Sequence, residues 1–102
     1  MRVEVSAEML APADRVWREL LRTLERGGLT AGQVDERDLR LEVRQAGGLV
    51  RRVSVEQTLG PRSRCTERIE VPGGALAPVG WLRAQAGARA RLARLRRAAR
   101  TL

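Results

Sequence analysis

With 102 residues the chain has room for one hydrophobic core and not for two, so a single domain over residues 1–102 is expected. Its 20 basic residues, all arginine, outnumber 12 acids for a net charge of +8. The lack of histidine and the lone Cys65 exclude a Cys/His zinc site, a Ser-His-Asp or Cys-His catalytic set within the chain, and an intramolecular disulfide.

Residues 2–9 alternate: Val3, Val5, Ala7 and Met9 point one way, and Arg2, Glu4, Ser6 and Glu8 the other. Period two means a strand with one buried face. At Ala11-Pro12 the period changes. Pro suits a first helical turn, and Asp14 complements the positive helix end. Val16, Trp17, Leu20, Leu21 and Leu24 then fall on one helical face, and Gly27-Gly28 is a stop, so a helix is expected from Pro12 to about Arg26.

Three further alternating segments follow. The first carries Leu39, Leu41 and Val43, the second Val53 and Val55, and the third Cys65, Ile69 and Val71, with turns at Gly47-Gly48 and Gly60-Pro61. Keeping each apolar set on one face allows Leu41 to pair with Val55, Val43 with Val53, Val53 with Val71, and Val55 with Ile69. That register sets Arg40 opposite Glu56, Glu56 opposite Arg68 and Gln57 opposite Glu67, with Arg44 opposite Arg52 as its one clash. Residues 72–80 are a loop with breakers at both ends.

From Gly80 to Leu102 the apolar residues Trp81, Ala84, Ala88, Leu92, Leu95, Ala99 and Leu102 recur at steps of three or four, the stripe of a long helix. Gly87 interrupts it, for a close approach to the sheet or for a bend. The other faces carry Arg83, Arg89, Arg94, Arg96, Arg97 and Arg100, with Arg91 near the stripe's margin. Residues 73–102 hold seven arginines and no acid, a net of +7, whereas residues 1–72 are nearly neutral at +1. Arg94, Arg97 and Arg100 are therefore candidate anion-binding residues, and weak binding of anionic polymers is expected.

The fold class expected from these elements is α+β: a four-stranded antiparallel sheet, in the order β-α-β-β-β-α, packed against a long C-terminal helix. Gln57 and Glu67 share parity with apolar neighbours and so should face inward. A buried carboxylate is costly unless paired or hydrogen-bonded, so Glu67 is expected near a sheet end, reaching water; the alternative is a polar group lining a small cavity under the helix. Trp17 and Trp81 join apolar stripes and read as core more than as ligand-stacking residues. Cys65 reads as a small buried hydrophobe. No catalytic residue, metal site or cofactor is assigned. No apolar run approaches the roughly 18 residues that span a bilayer. No basic-then-apolar signal opens the chain, so a cytoplasmic location is expected.

Two stretches resemble a known family. Val3 to Leu21, a strand running into Ala11-Pro12 and a helix with Val16-Trp17, resembles the opening of the START-like, or Bet v 1-like, superfamily (SRPBCC) that includes polyketide cyclase-like proteins. Gly73-Gly74 and the long helix with Leu92, Leu95 and Leu102 resemble its closing helix. The resemblance implies a helix-grip fold, with a curved sheet wrapped around the last helix and an apolar ligand cavity between them. Members usually have six strands between the first helical segment and the last helix, and residues 29–72 hold room for three, so a shortened form is implied. Its cavity should be small or absent, and a homodimer could cover an open sheet edge.

These readings converge on a small binding or accessory protein without catalysis of its own. An apolar small molecule would lie between the last helix and the sheet, with Trp17, Leu41, Val55, Gln57, Glu67, Ile69, Trp81 and Leu92 as cavity candidates. Two alternatives stand beside it: a nucleic-acid-binding module using the basic helix, and a polyketide cyclase-like acid–base enzyme using Glu67.

Overall fold

The computed structural model describes residues 1–29, 31–45, 48–74 and 77–101. Gly47 of the first expected turn and Leu102 at the end of the stripe lie outside the described residues. The chain runs β1 (Arg2–Met9), α1 (Ala13–Arg26), β2 (Ala31–Asp35), β3 (Arg40–Arg44), β4 (Val50–Gln57), β5 (Ser63–Glu70) and α2 (Ala77–Thr101). The strands form one antiparallel sheet in the order β1-β5-β4-β3-β2.

The sheet thus has five strands, not four. β2 was missed because Ala-Gly-Gln-Val-Asp has no apolar alternation: its one large apolar residue, Val34, is 46% exposed. A bulge at Gly32 further breaks the period. The turn from β2 to β3 is local. Asp35 Oδ1 accepts from the amides of Arg37 and Asp38, each at 3.1 Å, and Leu39 takes φ 53°. Leu39 is therefore a turn residue, not part of the strand it was read into.

Both expected registers slip by an even number of residues. Leu41 pairs with Val53 and Val43 with Arg51; Val53 pairs with Glu67 and Val55 with Cys65. Apolar parity cannot detect such slips, because an even shift leaves every side chain on its own face. The outer face instead sets Arg52 between Glu42 and Arg68, and Glu56 opposite Arg64. The expected Arg44–Arg52 clash disappears.

Polar side chains hold the entry to α1. Gln57 Oε1 accepts the Ala13 amide at 2.8 Å, while Gln57 Nε2 donates to the Gly60 carbonyl at 2.7 Å. Ser63 Oγ donates to the Ala11 carbonyl at 2.9 Å. The β1–α1 corner is thereby fastened to the turn between β4 and β5, and one orphan amide of the helix is satisfied.

α2 packs chiefly on β1 and also touches α1 and β5. Its C-terminal half joins Leu92, Leu95 and Ala99 to Met9, Val16, Trp17, Leu20, Leu24, Leu41, Val43, Val53 and Val55. Its N-terminal half joins Ala88, Ala84 and Trp81 to Val3, Ile69 and Val71. The stripe is therefore docked, but as two apolar clusters instead of one.

A buried charged centre in the helix-grip interior

Between these clusters lies Glu67, 2% exposed, with its flanking pairs Val5 on β1 and Val53 on β4. Arg51 Nε is 3.0 Å from Glu67 Oε1, and Arg51 itself is 3% exposed. That N–H is not aimed at the oxygen and has no hydrogen-bond partner, so the contact is an ion pair only. Arg91 of α2 donates twice to the same oxygen, from Nε at 2.9 Å and from Nη2. Its side chain remains 28% exposed.

The expectation that Glu67 reaches water at a sheet end is overturned. Two guanidinium groups supply the counter-charge that burial requires. Gln57 and Glu67 do not face each other either: Gln57 pairs with Ser63 and is exposed at the far end of β4. Sequence reasoning missed Arg51, although it shares parity with Val53 and Val55 and so had to face inward.

The electrostatics follow from burial. Desolvation lowers the Arg51 pKa; Glu67 acts against that, and nearby Arg91 acts with it. The Cys65 thiol, fully buried on the same strand as Glu67, is pushed up to about 12, first by desolvation and then by the Glu67 charge, with Arg51 opposing. Cys65 is the buried hydrophobe expected of it.

Of the other cavity candidates, Trp17, Leu41, Val55 and Leu92 share the larger cluster, while Ile69 and half-buried Trp81 share the smaller. Trp81 Nε1 donates to the Arg2 carbonyl at 3.2 Å. Among the described residues, one open groove of about 770 Å³ crosses the outer sheet face, lined by charges of both signs such as Asp35, Arg40, Glu42 and Arg52. Another, of about 740 Å³, runs between α2 and β1. Arg97 and Arg100 line the latter; Arg94 is exposed but does not.

An antiparallel sheet closed on one face by a long C-terminal helix, with a shorter helix beside it, is a helix-grip fold. It has four strands between α1 and α2. The chain is similar to the di-domain ARO/CYC BexL from the BE-7585A biosynthetic pathway, with a TM-score of 0.73 at 14% identity, over 95% of this chain and 45% of that one. It thus spans under half of BexL. An uncharacterised protein from Bacillus thuringiensis matches with a TM-score of 0.62 at 10% identity, over 96% of this chain and 98% of that one. The ZhuI aromatase/cyclase from Streptomyces sp. R1128 matches with a TM-score of 0.55 at 15% identity, over 74% and 70%. No family model matches the chain, and no curated protein does. Among the described residues no helix is long and apolar enough to cross a membrane.

Proposed function

We propose that this is a small non-catalytic binding or accessory protein of START-like type, which holds an apolar small molecule between α2 and the inner sheet face. One observation carries the reading: a charged centre, Arg51–Glu67–Arg91, divides an otherwise apolar interior into two clusters. As structure alone it is a poor investment, since a buried ion pair stabilises a fold no better than well-packed apolar residues of the same volume. As the polar end of a ligand site it has a purpose. An apolar body would lie against Val55, Ile69 and Leu92, and a polar group would meet the accessible guanidinium of Arg91.

The test is titration with an apolar fluorescent probe. One-to-one binding is expected, and Val55→Trp should abolish it with the circular dichroism spectrum unchanged. Undiminished binding to that variant would refute the site.

The likeness to BexL and ZhuI favours one second reading, an acid–base enzyme of the aromatase/cyclase kind that uses Glu67. Turnover of a cyclisable linear substrate that Glu67→Gln abolishes, while probe binding persists, would favour it over the non-catalytic reading.

A further inference from the structure

Many arginines of the sheet, of its loops and of α1 are matched by acids, among them Arg2 with Glu70, Arg68 with Glu4, Arg62 with Glu8 and Arg18 with Asp14. α2 is different. Of its seven arginines, Arg91 alone has an acidic partner among the described residues, and the other six are exposed. Four of them, Arg89, Arg96, Arg97 and Arg100, line the groove between α2 and β1. Its floor is apolar, made by Val5, Ala7, Leu92 and Ala93.

The other wall of the groove is a sheet edge, because β5 is the only neighbour of β1 among the described strands. Met1 and Val71 exchange both backbone hydrogen bonds, at 3.0 and 2.7 Å. Antiparallel alternation then turns the odd residues of β1 toward β5 and leaves the N–H and C=O of Glu4, Ser6 and Glu8 facing outward. Trp81 already occupies the outward carbonyl of Arg2. The open edge therefore runs from Glu4 to Glu8, beside the arginine row. The carboxylates of Glu4 and Glu8 are engaged by Arg68 and Arg62.

We propose that this groove takes an acidic peptide in extended conformation, added to the edge of β1 as a sixth strand. Its backbone would bond to Glu4, Ser6 and Glu8, and its alternate carboxylates would face the arginines of α2. Same-face residues of a strand recur every 6–7 Å or so, close to the roughly 6 Å rise from Arg96 to Arg100. A second copy of this chain fits worse: pairing β1 with itself about Ser6 would set Glu4 against Glu8 and bring two arginine rows together. Nucleic acid fits worse too, because the groove has no aromatic residue on which a base could stack.

The test uses a short, end-blocked peptide of alternating Glu and Val at about 150 mM salt, where purely electrostatic binding is weak. The same peptide N-methylated at every second residue, in each of the two phases, removes edge bonding and keeps the charge. The intact peptide is expected to bind and to slow amide exchange at Glu4, Ser6 and Glu8. One methylated phase should bind at least about tenfold more weakly, as should the intact peptide to the triple variant Arg96→Gln, Arg97→Gln, Arg100→Gln. Ser6→Pro removes an outward N–H while sparing the bonds to β5, and should also weaken binding; if it does not fold, the methylated peptides decide. Failure of the intact peptide to bind, equal binding of all three peptides, unprotected amides on β1, or tighter binding of a short DNA duplex at the same salt would each overturn the proposal. None of these outcomes depends on the interior site.

Discussion

Gly87 and Arg91 stand one turn apart on α2, and a Cβ on Gly87 would lie 3.1 Å from Arg91 Nη1. No sheet atom lies as close to that Cβ as the Arg91 guanidinium, so the glycine is not there for a close approach to the sheet. It is the space into which Arg91 folds back to reach Glu67 on β5.

From this relationship, Gly87→Ala should fail to deliver the usual gain of about 1 kcal/mol in helix propensity. The methyl group must displace a guanidinium that Glu67 holds. In an Arg91→Ala background the full gain should return. Urea denaturation of the four proteins in a double-mutant cycle measures this, and equal gains in both backgrounds would break the link.

Removing the buried carboxylate should be severe. Glu67→Ala leaves Arg51 buried without counter-charge, at a cost of about 3–5 kcal/mol. Replacing both members, as Arg51→Met with Glu67→Leu, should recover most of that loss, since Arg91 can turn to water. A double variant as unstable as Glu67→Ala would mean that packing, not charge, dominates the site.

The docking of α2 makes a simpler prediction. Leu92 and Leu95 are 3% and 6% exposed. Alanine at either position should cost about 2–5 kcal/mol in chemical denaturation. A loss below about 1 kcal/mol would contradict the packing described.

Cys65 predicts a pH dependence. In the folded chain the thiol is held at about 12, against an ordinary value of 9.0. Between those values the folded state keeps a proton that the unfolded state has released. Stability should therefore fall as pH rises through that window, by up to about 1.4 kcal/mol per unit. Cys65→Ala should remove this part of the slope, and native protein should resist thiol reagents at pH 8. Identical pH profiles for the two proteins would show that the thiol stays protonated in neither state or both.

The six arginines of α2 that have no acidic partner among the described residues predict salt-sensitive association. Duplex DNA should bind at about 50 mM salt and be almost wholly released by about 200 mM, through counterion release. Filter binding across that range measures it, and sub-micromolar affinity at about 150 mM would favour a nucleic-acid function.

Several features were settled by the sequence alone. The bounds of β1 and α1, the docked stripe from Trp81 to Ala99 and the inward face of β3, β4 and β5 follow from local periodicity, which adjacent residues determine by themselves. The Ala-Pro and Val-Trp elements pointed to the helix-grip fold. Tertiary structure alone decided the rest. Strand register is set by even slips that parity cannot register, so the partners of Arg51, Val53 and Glu67 were not legible. β2 is an exposed edge strand held by hydrogen bonds to β3 and has no burial pattern to read. The charged centre combines three residues from β4, β5 and α2, separated by up to 40 positions in the chain. Each is unremarkable in its own segment. Burial drives them together, because Glu67 in an apolar interior is tolerable only where two guanidinium groups can reach it.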